Sequence, residues 1–408
     1  MKNFTRIFLF FIIFYSTITS SSIGCTTAIV SGKFTVDGRP LLFKHRDTGT
    51  LQNKLMFFND GKYKYIGLVN STDSLGKEIW AGCNDAGFAI MNSASYNLNT
   101  NDTTAIKDRE GFVMKMALQS CVTVDDFEQL LNNLPKPLGV EANFGVIDAN
   151  GGAAYFETGN FAYSKIDAND PKIAPFGYVI RSNYSFTGDT ENGYGFIRYQ
   201  TADDLFYQAA QTNSLSHKFI LQKVSRCLKH SLTKIDFTEN LPKNSDKSYY
   251  VNFRDFIPRN SSASTVVVQG VKKGESPEFA TMWTILGFQL CSVTIPTWVS
   301  GGNNLPKILV ADETGNAPLC DMALQLKEEC IPLKRGSGKY YLNLAALMNQ
   351  TGDGILQKTF PLENKILSLA ESYLKHWREK GLNKKQVKEF YKIVDDMVLL
   401  EYQKRFGL

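Results

Sequence analysis

Cys25 stands at the head of the segment CTTAIVSGK, directly after a run of small residues, and this place makes it chemically interesting. A thiol attacks a carbonyl as its thiolate, and an ordinary cysteine at neutral pH is mostly protonated, so a nucleophilic cysteine needs a proton acceptor. The histidines (His45, His217, His230 and His376) are scattered, and His45 alone lies near Cys25 in the chain. The other acceptor is the cysteine's own α-amino group, whose ordinary pKa of about 7.7–8.0 suits a general base near neutrality. That amine exists only once the peptide bond before Cys25 has been cut.

Residues 1–24 read as a secretory signal peptide. Lys2 and Arg6 form a cationic start, IFLFFIIFY the apolar run and STITSSSIG the small-residue tail, with Ser22 and Gly24 at the −3 and −1 positions. Export is therefore expected, and one cut would both release the chain and create its base. Two other readings of Cys25 stay open. It could carry lipid as a non-catalytic surface lipoprotein, although a lipobox prefers Leu where Ser22 stands and a tether where TTAIVSG reads as a strand. It could also be a buried structural thiol.

The elements that must position Cys25 follow from the local patterns. CTTAIVSGKF, the Asp-Gly turn in VDGRP and LLFKHRD read as a β-hairpin that brings Asp47 back toward Cys25. On a regular return strand, His45 points away from Lys44 and Arg46. KYKYIGLVN, GCNDAGFAIMNSAS, NFGVIDANGGAAYFE and FGYVIRSNYSF supply further strands, as do ASTVVVQ, TMWTILG and CSVTIPTWV. Two helical pieces fall within 110–134, the second opened by a Thr123–Asp126 capping box. Residues 200–232 read as helical, and two amphipathic helices follow position 350, separated by Gly-Leu-Asn. The 408 residues carry a net charge of +5 and 43% apolar content, a balance that leaves no footprint for nucleic acid. Beyond the leader no segment approaches the ~18 apolar residues of a membrane span. The 7 cysteines are too sparse for a disulfide scaffold, with a Cys320–Cys330 bridge left open.

CTTAIVSGKFTVDGRPLLFKHRDTG resembles the N-terminal signature of the N-terminal-nucleophile hydrolases that cut linear amides. It is most similar to the penicillin acyl-CoA acyltransferase-like group, related to choloylglycine hydrolases and acid ceramidase-type amidases. GCNDAGFAIMNSAS, NFGVIDANGGAAYFE, RSNYSF and IPRNSSAS follow in the expected order, so the resemblance covers residues 25 to about 300. It implies Cys25 as nucleophile and Asp47 as the acid that hydrogen-bonds the α-amine. It further implies oxyanion donors from Asn183 and Asn92, and Arg259 lining the site. Relatives often carry Arg three residues before that Asp; here Lys44 stands there and Arg46 lies beside it, and Arg46 is the favoured cation. Asn143, Asp148 and Glu157 are assigned to structure, and no cofactor or metal is needed.

The implied fold is α+β, a four-layer αββα sandwich of two antiparallel sheets. Its catalytic domain would span 25–349, with a helical C-terminal extension at 350–408 packed on the same domain. The implied reaction is hydrolysis of a linear amide C–N bond through an acyl-thioester, or acyl transfer to an amine, with a small-molecule N-acyl amide as substrate. An N-terminal-nucleophile dipeptidase is the alternative within the superfamily. Tyr96, Tyr184, Phe186, Trp283 and Trp298 are candidates for an apolar acyl pocket or for the core, and the oligomeric state stays open.

Overall fold

The computed structural model describes residues 24–408, so the expected signal peptide lies outside the described residues apart from Gly24. The hairpin at the head of the chain forms as its sequence implies: β1 (Thr26–Val30) and β2 (Leu41–Asp47) pair antiparallel, with Thr26 opposite His45. β1 also pairs with β10 (Tyr178–Arg181), and β2 with the strand Ser262–Gln269. The strands Thr281–Leu286 and Ile295–Thr297 complete a six-stranded antiparallel sheet. The head of β1 is therefore flanked on both sides, and the backbone of Cys25 opens onto an interior strand.

The second sheet is a seven-stranded antiparallel meander. It runs through β3 (Asn53–Phe58), β4 (Tyr65–Asn70), β5 (Ala81–Asn84), β6 (Ala89–Ala94), β7 (Ala142–Ile147), β8 (Ala153–Thr158) and β9 (Tyr163–Asp167). β1 and β2 pack face to face on β6 and β7, and Ile29, Met91 and Tyr155 belong to the core those faces share. The outer face of the second sheet is covered by α1 (Glu110–Ser120) and α2 (Val124–Asn133), over a second core that includes Ile90, Phe127, Phe144 and Phe156. α2 starts on the anticipated box, with Thr123 accepting from the Asp126 amide and Asp126 from that of Thr123. The outer face of the first sheet is covered by α3 (Phe196–Gln211) and by later helices, which completes the four α-β-β-α layers.

Several elements depart from the sequence reading. The stretch expected to be helical to 232 breaks at Gln211, and a π-turn (Ile220–Val224) and a short strand pair follow. Strands β3 and β9 and the helix Pro318–Cys330 carried no recognised signal. That helix excludes the Cys320–Cys330 bridge. The two residues sit ten positions apart on one helix, roughly 15 Å along its axis, whereas a disulfide needs Cα atoms within about 7 Å. All of the cysteines are unbridged, and Cys330 instead lies with its sulfur 3.7 Å from that of Cys291.

The C-terminal helices Ile355–Lys380 and Lys384–Phe406 share the main core. Trp298 meets Trp377, Phe390 and Tyr391 ring to ring, and Tyr391 Oη accepts the Trp298 amide at 2.8 Å. A buried ion pair fixes the longer helix. Glu363 accepts from Arg226 Nη1 at 2.8 Å and Nη2 at 2.6 Å, and from both donors of Thr294 at 2.8 Å. Among the described residues no helix is long and apolar enough to cross a membrane. Removing one member of a buried pair strands the other charge, so Glu363→Ala is expected to cost about 3–5 kcal/mol. Urea unfolding of the variant beside the parent protein measures this, and a loss under about 1 kcal/mol refutes it.

Candidate active site

Cys25 precedes β1 by one residue and is buried. Extending the register one step past the Thr26–His45 pair sets Cys25 across from Arg46. Side chains alternate along a strand, so Cys25, Thr27 and Ile29 share the face toward the second sheet. Thr27 Oγ1 receives the Tyr155 hydroxyl of β8 there at 2.8 Å. Thr26 takes the opposite face, where Arg198 Nη1 donates to its hydroxyl at 3.0 Å. β2 divides in the same way. Lys44 and Arg46 fall on the side of the sulfur, and His45 and Asp47 on the other.

On the sulfur side, Lys44 Nζ donates to Asn92 Oδ1 at 2.6 Å and to the Trp80 carbonyl at 2.7 Å. Arg46 donates to Asn53 Oδ1 at 2.7 Å and Asn70 Oδ1 at 2.9 Å, and its guanidinium lies 4.7 Å from the centre of the Trp80 ring. Burial lowers the pKa of both cations, Lys44 to about 7 and Arg46 to about 10, and charge at Cys25 is the largest influence opposing it. An ammonium group has only donors. The Lys44 contact therefore turns the oxygen of Asn92 toward itself and leaves the Asn92 NH2 for another partner. Beside Asn92 a cavity of about 330 Å³ opens, lined also by Trp80, Tyr96 and Glu110.

On the other side, Asp47 accepts from Ser262 Oγ at 2.5 Å and from Arg259 Nε at 3.1 Å, with Arg259 Nη2 2.8 Å away. His45 Nε2 lies 3.6 Å from Asp47 Oδ1 and 2.8 Å from Ser262 Oγ. Burial works against ionisation of Asp47, but Arg259 and then His45 outweigh it and hold the carboxyl down to about 2.

The Cys25 nitrogen donates to Asn183 Oδ1 at 2.8 Å, and Arg198 Nη2 donates to the same oxygen at 2.9 Å. Two donors fix the orientation of that amide, and Asn183 Nδ2 donates to the Ala94 carbonyl at 2.7 Å. Gly24 is buried against the same groups. A Cβ at that position would fall 2.1 Å from Arg259 Nη2 and 2.7 Å from Asn183 Oδ1. Only a residue without a side chain fits before Cys25 while these groups stand as they do.

Around Cys25 the fold thus gathers Arg46, Asn92, Asn183 and Arg259, with Asp47 ion-paired to Arg259. Two contacts differ from those the resemblance implied. With the Gly24–Cys25 bond intact, the Cys25 nitrogen bonds to Asn183 rather than to Asp47, whose oxygens are taken by Ser262 and Arg259. Asn183 also turns its acceptor toward Cys25, which makes it an orienting group for the nitrogen more than an oxyanion donor. Arg46, the favoured cation, is held by two neutral amides, whereas Lys44 reaches Asn92. Trp283 and Trp298 are wholly buried in the core, while Tyr96 lines the cavity. Asn143, Asp148 and Glu157 bond to Ser185, to turn amides and to Arg181. Arg198 and Ser262 were missed. The available signal for Arg198 was a cation on the same helical face as Ala202, Phe206 and Ala209 of α3.

No family model and no curated protein sequence matches the chain. Among solved structures it is similar to penicillin V acylase from Agrobacterium tumefaciens, at 12% identity over 67% of this chain and 86% of that one, with a TM-score of 0.38. A variant of conjugated bile acid hydrolase from Clostridium perfringens matches at 11% identity over 64% and 89%, with a TM-score of 0.32. Penicillin G acylase from Alcaligenes faecalis matches at 10% identity over 48% and 51%, with a TM-score of 0.33.

The Asp47 ion pair has a pH signature. With its folded pKa near 2 and an unfolded value of about 3.9, its stabilisation is fully present above pH 4 and is lost as pH falls through 2. Linkage sets the amount on the order of 2 kcal/mol. Asp47→Asn is expected to destabilise the protein near neutrality and to flatten its stability between pH 4 and 2 relative to the parent. Parallel urea-midpoint profiles for the two proteins would contradict this.

Proposed function

We propose that this chain is an exported hydrolase of linear amides. Its nucleophile is Cys25 Sγ and its base is the α-amino group freed when the Gly24–Cys25 bond is cut. The observation that carries the reading is the setting of one residue: Cys25 heads a buried interior strand, with its nitrogen on Asn183 Oδ1 at 2.8 Å. Cations lie on its sulfur side, and an ionised Asp47 shields Arg259 on the other.

In this reading the α-amine takes the thiol proton as sulfur attacks the amide carbon. Charge develops on the carbonyl oxygen, and the Asn92 NH2, turned away from Lys44, is the donor available to it. One such fixed donor is worth about 2.7–4 kcal/mol. The C–N bond then breaks, the ammonium proton goes to the departing amine, and the acyl group remains on sulfur as a thioester. Water attacks that thioester, giving its proton to the α-amine, and the acid leaves with the thiol restored. Where an amine outcompetes water, the same site transfers the acyl group instead. The lipoprotein alternative fits poorly with the structure. A lipidated Cys25 would have to leave its buried place, and Asn183 and Arg198 would then lose the Cys25 nitrogen and carbonyl.

Cys25→Ala and Cys25→Ser are expected to fold and to lose turnover of N-acyl amides by ~10² or more. Mass spectrometry of the active protein should find a free amine on Cys25. An active chain with that nitrogen still acylated would overturn the mechanism.

The pH profile tests Lys44 separately. Its charge is present below about pH 7 and lost above it, so activity should fall on the alkaline side as the sulfur loses a neighbouring cation. Lys44→Arg keeps the charge and should move that limb up by roughly two pH units; an unmoved limb would remove Lys44 from the site.

A further inference from the structure

We propose that Arg198 is a positioning residue for the nucleophile, holding the Cys25 carbonyl directly and its nitrogen through Asn183. The inference rests on the reading of Cys25 as an N-terminal nucleophile and assigns a role to a residue outside the motif blocks that carry the resemblance.

Arg198 lies in the first turn of α3, and its side chain folds back over the start of its own helix. The residue there, Gly195, has φ 83°, and a Cβ on it would stand 2.2 Å from Arg198 Nη2. From this position Nη1 donates to the Cys25 carbonyl and to Thr26 Oγ1, and Nη2 donates to Asn183 Oδ1. One rigid, planar group thus grips the backbone on both sides of the Cys25 Cα. Fixing the carbonyl on one side and the nitrogen on the other holds the Cys25 backbone in place, so that the amine keeps its position and only the turn about Cα–Cβ is left to set its distance from the sulfur. Once the bond to Gly24 is cut, no preceding chain holds Cys25, and this clamp must do so. Proton transfer within one residue depends on that geometry.

The energetics support a functional role. Arg198 is 2% exposed, and every acceptor it contacts is neutral: a carbonyl, a hydroxyl and an amide oxygen. Its Nε has no partner among the described residues. A buried guanidinium without a bonded carboxylate is costly to keep, and burial, then Arg259, lower its pKa to about 9. The cost has a use at this place. Two guanidinium groups, Arg198 from α3 and Arg259 from the segment before Ser262–Gln269, stand beside the nitrogen. Asp47 and His45 from β2 lie on the same face, with Asp255 within electrostatic range of Arg198. Tyr96, Lys44 and Arg46 feel the charge at Cys25 from the remaining directions. Neighbouring cations disfavour an ammonium and favour a thiolate, so Arg198 keeps the amine free to accept a proton.

The test uses the mature chain beginning at Cys25 and needs no substrate. The rate of Cys25 alkylation by iodoacetamide is measured against pH for the parent, Arg198→Met and Arg198→Lys. Removing the charge should raise the midpoint by about one pH unit and slow alkylation at pH 7 about tenfold. Arg198→Lys retains the charge without the fork. It should therefore keep the midpoint near that of the parent and react more slowly. If the Met variant fails to fold by circular dichroism, the Lys variant still reads the clamp. Parental rates and midpoints in the folded variants overturn the proposal. A chain with a residue retained before Cys25 tests the underlying reading on its own. If it alkylates as the free-amine protein does, the amine is not the base, whatever Arg198 does.

Discussion

The position of Cys25 at the mouth of an interior strand constrains everything around it. Because β10 and β2 flank β1 on both sides, the backbone at its head is held in the sheet, and the nitrogen that the proposed mechanism uses as its base lies one residue before that ladder. The nitrogen is held by Asn183, which lies two residues beyond the end of β10 and is bridged to Tyr194. The sheet thus supplies a fixed frame, and one side-chain oxygen completes it. A tethered, solvent-exposed cysteine would have to order its amine and sulfur in each catalytic cycle, at an entropic cost of about 1–2 kcal/mol per residue fixed.

The period of two along β2 then sorts the charges. Lys44 and Arg46 fall on the face of the sulfur, where they favour a thiolate, and Asp47 falls on the face of Arg259 and Arg198. Were Asp47 one residue earlier or later, a carboxylate would face the thiol and oppose its ionisation. While the Gly24 bond is intact, Asp47 is held by Ser262 and Arg259 and the Cys25 nitrogen by Asn183. Gly24 packs in that state against Arg259, Asn183 and Arg198. The ionised Asp47 balances one of the two guanidinium groups, Arg259, and leaves Arg198 on neutral acceptors.

Much of this was legible in the sequence, and the reasons are local. The hairpin was marked by an Asp-Gly turn between two runs of β-formers, and the spacing on β2 alone separated His45 from Lys44 and Arg46. The two C-terminal helices carried clear apolar stripes, the first ended by Gly381. What could not be read depended on contacts distant in the chain. The orientation of the Asn183 amide is set by Arg198 and by the Ala94 carbonyl, 89 positions away. Arg198 resembled any surface cation on a helix until α3 was laid across the end of β1. The break at Gln211 was hidden because the apolar spacing continues through Ile220 and Leu221, whose burial is set by the sheet and not by helical period.

The cations divide between two tasks that the geometry keeps apart. Lys44, with no carboxylate bonded to it, can lose its proton near neutrality; its contact with Asn92 therefore ties the oxyanion donor of the proposed mechanism to a group that titrates. Arg198, lowered only to about 9, keeps its charge through that range and stands with Arg259 by the nitrogen, where on the proposed reading a titrating neighbour would blur the base. The ammonium that touches Asn92 and the guanidinium groups that stand by the nitrogen are thus not interchangeable. Exchanging them would leave the number of charges intact, yet it would place a titrating group beside the base and a permanent charge beside the oxyanion donor. The chemistry of the site follows from which cation stands on which face of one strand.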